Sequence, residues 1–287
     1  MSKVFQAVLC LAATGAGGVA GAPSAPHPPG CAADDGARGL LVRMVAAYEG
    51  VQDYTARLVK DERFGDDVLS QTLDIKFRKP RSIYVGVTDG FGKGRTAIFP
   101  SGENDDRVKV KKAVLWAFDA SLDPRGSRMM ERQHHPITDA GLGYAVAVVD
   151  RTIKQAERRG DELVHDNGVE LLDRRCTRRI VLSCPTPCPS KPYTVKENDT
   201  LWTIAAAAGQ DMYVLLHWNR LRGPTGLKAQ QQLEIPAYYA PRTELWIDTE
   251  LELPIKLEMF DRDGQLYERY RYQDLRLNLG IPDSDFR

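Results

Sequence analysis

Residues 68–78 read VLSQTLDIKFR. Leu73, Ile75 and Phe77 alternate with Asp74, Lys76 and Arg78. A strand places successive side chains on opposite faces, so this is the pattern of a half-buried strand with one wet face. The same texture runs outward in both directions: YTARLVKDER (54–63) lies upstream, RSIYVGVTD (81–89) and RTAIF (95–99) downstream. The turns between them, FGDD, KPRS, DGFGKG and PSGEND, carry glycine and proline. Farther along, ELVHD, VELLD and CTRRIVLSC read as strands. So do TELWIDTE and LPIKLEMF, the latter with Ile255, Leu257 and Met259 on one face. Asp261-Arg262-Asp263-Gly264 reads as a hairpin turn into QLYERYRYQDLRLN. Two segments have helical spacing instead. Leu41, Met44, Val45 and Tyr48 share a face that ends at Gly50, and a second helix is expected from Thr138 or Asp139 to about Ala156. The fold class expected is α+β, a large curved antiparallel sheet with helices on one side.

The chain has 287 residues, 43% hydrophobic and 27% charged, which is the composition of a globular protein. Lys+Arg and Asp+Glu balance at 39 each, so no global field favours nucleic acid or an anionic membrane. Nucleic acid is therefore not an expected partner. The first residues, MSKVFQAVLCLAATGAGGVAG, read as an export signal (residues 1–21): a basic start, a short apolar run, and Val19-Ala20-Gly21 before the cleavage point. Residues 22–37 form an Ala/Pro/Gly linker. Neither Cys10 nor Cys31 fits a lipidated cleavage site. Export leaves Cys31, Cys176, Cys184 and Cys188 in an oxidising compartment, where structural disulfides are expected, with three pairings open.

The pattern changes at YTVKENDTLWTIA (193–205). Tyr193 and Val195 alternate as in a strand. Asp199 or Thr200 caps a helix bearing Leu201, Ile204, Ala205 and Ala208, which Gly209 ends. Asp211 is placed to cap a second helix with Met212, Leu215 and Leu216, and Leu233 and Ile235 alternate in a closing strand. The result is a βααβ unit of about 45 residues, small for an independent core.

YTVKENDTLWTIA, LLHWNRL and LKAQQQLEIP resemble the LysM domain, a peptidoglycan- and chitin-binding module, over residues 193–238. The resemblance implies a shallow glycan groove formed by Asn198, Asp199, Thr200 and Leu201 on one loop. The facing loop supplies Gly226, Leu227, Lys228, Ala229 and Gln230. Two departures stand out. Asn198 replaces the usual glycine, and Ala229-Gln230 replaces the common Pro-Gly. Asn tolerates the left-handed conformation better than most residues, so the first change is expected to be mild. The second is expected to reshape its loop.

The flanking residues, 38–184 and 243–286, resemble DUF1571, a family of exported bacterial proteins. The resemblance rests on KFRKPRSIYV, on the HHPITDAGLG stretch, and on LPIKLEMFDRDGQLYERYRYQDLRLNLGIPDSDF. It implies a lipoprotein-carrier fold of the LolA/LolB type, an incomplete antiparallel barrel whose helices cover an apolar cavity. CTRRIVLSC and TELWIDTE are then expected to be neighbouring strands, with the LysM-like unit replacing the loop between them.

No G-x-S-x-G, H-E-x-x-H or phosphate-binding glycine loop is present, so no catalytic residue and no cofactor is expected. His134-His135 reads as a loop or surface pair rather than a metal site, and the RRCTRR run as the solvated part of a strand. The expectation is a non-catalytic protein of the periplasm or cell envelope. Peptidoglycan is its expected partner at the module, and a lipid or lipoprotein segment in the host domain. The alternative is a cell-wall hydrolase or other envelope enzyme targeted by LysM, for which paired carboxylates such as Asp61 and Glu62 are too common to decide.

Overall fold

The computed structural model describes residues 31, 36–100, 106–111, 120–221 and 223–287; the expected export signal and most of the linker lie outside them. Helix α1 (Gly36–Gly50) opens the described chain, followed by strands β1 (Asp53–Phe64), β2 (Asp67–Arg78) and β3 (Ser82–Gly90). Three shorter strands follow, β4 (Thr96–Phe99), β5 (Val108–Lys111) and β6 (Ala120–Leu122). The covering segment comprises α2 (Ser127–Met130), a 3-10 turn at Ile137–Asp139 and α3 (Leu142–Arg159). The chain continues through β7 (Val164–Leu172), β8 (Arg175–Ser183), β9 (Ser190–Thr194), α4 (Leu201–Ala208), α5 (Met212–Trp218) and β10 (Gln232–Pro236). It ends with β11 (Arg242–Asp248), β12 (Pro254–Phe260), β13 (Leu266–Leu277) and a 3-10 turn at Asp283–Phe286.

Among the described residues, eleven strands form one antiparallel sheet in the order β6-β5-β4-β3-β2-β1-β13-β12-β11-β8-β7, and its two ends do not pair. The expected α+β class, with a large unclosed antiparallel sheet, is what the structure has. Alternation on β2 buries Leu73 and Ile75 and leaves Phe77 packed at the edge of the core. α1 and α3 supply the other side of that core through Leu40, Met44, Leu142, Val146 and Val149.

Several local expectations are corrected. The second helix begins at Leu142, not at Thr138 or Asp139, because Pro136–Asp139 closes a 3-10 turn instead. Gly141 precedes the helix at φ 99°, and the Tyr54 hydroxyl accepts the Leu142 N–H at 3.1 Å in place of a side-chain cap. A Cβ at Gly141 would lie 2.2 Å from that hydroxyl, so the position requires glycine twice over. The runs ELVHD and VELLD are one strand, with a bulge between Asp166 and Val169 where Gly168 takes φ 82°. Three of the four arginines of RRCTRR are engaged rather than simply solvated, while Arg174 is exposed. Arg178 is buried against Asp166 (2.5 Å), Arg175 pairs with Asp248, and Arg179 pairs with Glu244 (2.6 Å).

β8 and β11 are neighbours, with Ser183 opposite Arg242, and the βααβ unit leaves and re-enters the sheet between them. β9 and β10 pair antiparallel, which brings the unit's two ends together. The cysteines pair as Cys31–Cys176 and Cys184–Cys188. The first ties the start of the described chain to β8, and the second closes the exit from that strand.

Candidate functional site

Two sites come from this arrangement. In the βααβ unit, the Val195 N–H donates to Gln231 O (2.9 Å) and the Gln230 N–H to Val195 O (2.8 Å). These bonds set the loop after β9 beside the loop before β10. Asn198 is exposed at φ 66°, the left-handed conformation its side chain tolerates. The Asp199 carboxylate accepts from the Lys196 N–H and the Tyr193 hydroxyl, both at 2.8 Å, and these bonds hold it below the usual carboxylate range. Thr200 caps α4 in a reciprocal box with Thr203, at 3.0 and 3.1 Å. Leu201 has no exposed surface and belongs to the unit's core, so it is corrected from groove residue to core residue. On the facing loop Gly226 is exposed at φ 88°, Leu227 packs on the core, and Lys228 and Ala229 are exposed. Gln230 occupies φ 68° where glycine would be unstrained. Asn219 is structural: its amide donates to Leu215 O and Glu234 O, and its oxygen accepts from the Glu234 N–H (2.7 Å).

The second site is a cavity of about 720 Å³ between the inner face of the sheet and the covering segment. One wall is a cross-strand row formed by register: Ile75 faces Val85, Val85 faces Ala97, Ala97 faces Val110, and Val110 faces Ala120. Its other end is polar. On β1 the inward positions run Leu58, Lys60, Glu62, and Glu62 stands opposite Glu268 of β13. Two buried carboxylates side by side repel unless cations separate them. Lys60 donates to Glu62 (3.0 Å), and the Tyr270 hydroxyl donates to its other oxygen (2.9 Å). Glu268, with no exposed surface, receives the Tyr239 hydroxyl (2.8 Å) and lies 2.8 Å from His134 Nδ1 and 3.0 Å from His135 Nε2. Burial works to raise the Glu268 carboxyl, but the charges and hydrogen bonds of His135 and His134 together outweigh it and hold the group well below the usual range. Burial likewise opposes the His135 imidazolium, but the Glu268 charge and hydrogen bond, with the Asp211 and Glu62 charges, together prevail and its pKa is pushed up to about 9. The histidines, expected as a loop or surface pair, are thus buried partners of one carboxylate.

The βααβ unit packs against residues that line the cavity. The Tyr144 hydroxyl, on α3, donates to Asp211, the residue that caps α5. Tyr213 packs edge-on to His135 at 5.3 Å, His217 stacks on Tyr267 at 3.8 Å, and Arg125 lies over Trp202 at 4.7 Å. Val214 joins the core of the large sheet. The unit is therefore docked through α4 and α5, with Asn198, Lys228, Ala229 and Gln230 left exposed. Asp61 and Glu62 do not form a carboxylate pair. Successive strand residues face opposite sides, and Asp61 binds Ser70 (2.5 Å) and Arg269 (2.8 Å) away from the cavity. Among the described residues no group of three or more His, Cys, Asp or Glu side chains is arranged to hold a metal ion.

Sequence reasoning missed Glu268, Tyr239, Tyr144 and the Lys60–Glu62 pair. The signal for the last was present, because Leu58, Lys60 and Glu62 share a strand face that begins apolar and ends charged.

The family model described as "Protein of unknown function (DUF1571)" matches residues 51–199 and 220–287. The chain belongs to the DUF1571 family. The LysM domain model matches residues 193–236, within that span. No curated protein sequence matches the DUF1571 chain. Among solved structures it is similar to the lipoprotein LppX of Mycobacterium tuberculosis, at 12% identity over 85% of this chain and 99% of that one, with a TM-score of 0.42. It is also similar to a LolA superfamily protein of Nitrosomonas europaea, at 10% identity over 88% and 98% of the two chains, with a TM-score of 0.31. An uncharacterized conserved protein of Thermus thermophilus gives 8% identity over 87% and 91%, with a TM-score of 0.40. Among the described residues no helix is long and apolar enough to cross a membrane.

Proposed function

We propose that this is an exported, non-catalytic protein of the periplasm or cell envelope that holds peptidoglycan through its LysM groove and an acyl chain in its DUF1571 cavity. The observation that carries the reading is the cavity itself. A space of about 720 Å³ lies within the range of about 300–1,000 Å³ typical of small-molecule sites. Its apolar row suits a hydrocarbon chain, whether of a lipid or of a lipoprotein. The buried charges at its polar end are already engaged with one another, which favours holding a ligand over transforming it.

At the other site, the groove residues that remain exposed offer short polar groups and backbone amides to a neutral amino sugar such as N-acetylglucosamine. The docked faces of α4 and α5 leave that groove open.

The test is displacement of a fluorescent alkyl probe from the full chain by palmitate. Saturable displacement supports the cavity reading. A probe that never binds removes it.

A further inference from the structure

The ligand's polar end is written into the cavity. Going across the sheet, the wall is aliphatic from Ile75 to Ala120; going along β1, it passes from Leu58 to Lys60 and Glu62. A chain lying on the aliphatic row therefore carries its head toward Lys60, Glu62 and His135, all of which line the cavity.

His135 is the group in that cluster with an unspent valence. Its side chain is 8% exposed, and its Nε2 lies 3.0 Å from Glu268 and 2.9 Å from the Tyr239 hydroxyl. Nδ1 is buried and has no hydrogen-bond partner among the described residues. A buried polar atom without a partner carries a desolvation cost that a ligand group can remove. Its chemistry is set from the far side of the ring. A carboxylate oxygen only accepts, so Nε2 must carry a proton to bond Glu268. The charge of Glu268, with Glu62 behind it, then favours a second proton, and a pKa of about 9 leaves the ring an imidazolium at neutral pH. Nδ1 is therefore a donor. Lys60 adds to this end: it donates to Glu62 and Gln133, and an ammonium has a third N–H.

We propose that the cavity takes a long-chain acyl compound, and that the Nδ1–H of His135 binds the acceptor oxygen of its head. The proposal rests on the acyl-chain reading above and adds to it a head chemistry and a residue that reads it. Carboxylate, ester and amide heads share the required oxygen; an alkyl chain ending in a quaternary ammonium does not. Lys60 with Glu62, and His135 with Glu268, pair their charges, so a neutral ester or amide is accommodated as well as a carboxylate. Wall side chains cover Nδ1, and an entering head displaces them to reach it. Tyr144 and Tyr213, whose rings lie 4.9 and 5.3 Å from that of His135, hold the imidazole in place.

The experiment is competition for a fluorescent alkyl probe by palmitate, methyl palmitate and hexadecyltrimethylammonium, on the full chain and on His135→Phe and His135→Gln. A hydrogen bond from a charged donor predicts that the acyl compounds bind about tenfold or more tighter than the ammonium chain. His135→Phe abolishes that preference while still binding alkyl chains, and His135→Gln, which keeps a donor, retains part of it. Preference for the acid over the ester identifies a free fatty acid as the ligand, and the reverse an esterified or amide-linked chain; both support the proposal. A preference that survives His135→Phe overturns it. If no chain binds the native protein, the cavity reading fails and the proposal with it. Should the variants not fold, 15N-histidine spectra of the native protein decide. A His135 Nδ1 signal that shifts with palmitate but not with the ammonium chain supports the proposal, and a signal that palmitate at saturation leaves unmoved overturns it.

Discussion

Tyr144 on α3 donates its hydroxyl hydrogen bond to Asp211, and the other oxygen of Asp211 accepts the Tyr213 N–H at 2.9 Å. One carboxylate thus caps a helix of the LysM module and ties that helix to the wall of the DUF1571 cavity. Tyr144→Phe is expected to cost about 1–3 kcal/mol, as does loss of one hydrogen bond to a part-buried charged acceptor. Asp211→Ala adds the loss of an N-cap worth about 1 kcal/mol. A double-mutant cycle on Tyr144→Phe and Asp211→Asn, measured by urea unfolding, is expected to give a coupling of about 0.5–3 kcal/mol. Strict additivity would mean that the two units are not joined there.

The pH dependence of stability follows from the same region. The folded pKa of His135 is raised from 6.5 to about 9, so its contribution is complete below about pH 6.5 and is lost as pH rises through 9. Glu268 is shifted the other way. Its contribution is complete above the ordinary carboxylate pKa of 4.5 and is lost as pH falls toward its depressed folded value. Together they favour maximal stability at about pH 4.5–6.5, with a decline toward pH 9. Melting temperatures measured across that range check the sign. His135→Gln is expected to flatten the alkaline decline.

Cys31 and Cys176 are 145 residues apart in sequence, while Cys184 and Cys188 are 4 apart. Closing a long loop restricts the unfolded chain more, and removing such a bond typically costs about 2–5 kcal/mol. The pair Cys31→Ser/Cys176→Ser is expected to unfold at markedly lower denaturant than Cys184→Ser/Cys188→Ser. Equal midpoints would contradict this.

Filling the cavity separates the two sites. Val85 lies in the aliphatic row and faces Ile75 and Ala97 on the neighbouring strands. Val85→Trp is expected to reduce palmitate binding at least about tenfold while leaving retention on peptidoglycan unchanged. Lys228→Glu/Ala229→Glu, on the exposed groove loop, is expected to do the opposite.

Much of this fold could be read from period-two alternation. VLSQTLDIKFR, CTRRIVLSC and TELWIDTE all became strands, and the βααβ unit lies where its caps and glycines put it. Alternation also hid what mattered most at the cavity. Lys60, Glu62 and Glu268 are charged residues on the buried face, and a single strand does not reveal which partners offset them. Those partners come from β13, from the 133–135 segment and from the connector at Tyr239, brought together only by tertiary structure. The helix start at Leu142 was unreadable for a related reason, since its first N–H is satisfied by Tyr54, 88 positions earlier. The docking of the LysM module was likewise invisible. Trp202, Tyr213 and Trp218 fit a small core, and their contacts with Arg125, His135 and Arg262 depend on the sheet.

The most direct test is co-sedimentation of the full chain with purified peptidoglycan sacculi in the presence of radiolabelled palmitate. The expected result is that protein and label pellet together, that Val85→Trp pellets without label, and that Lys228→Glu/Ala229→Glu leaves both in the supernatant. Native protein that stays in the supernatant, or pellets without label, would contradict the assignment.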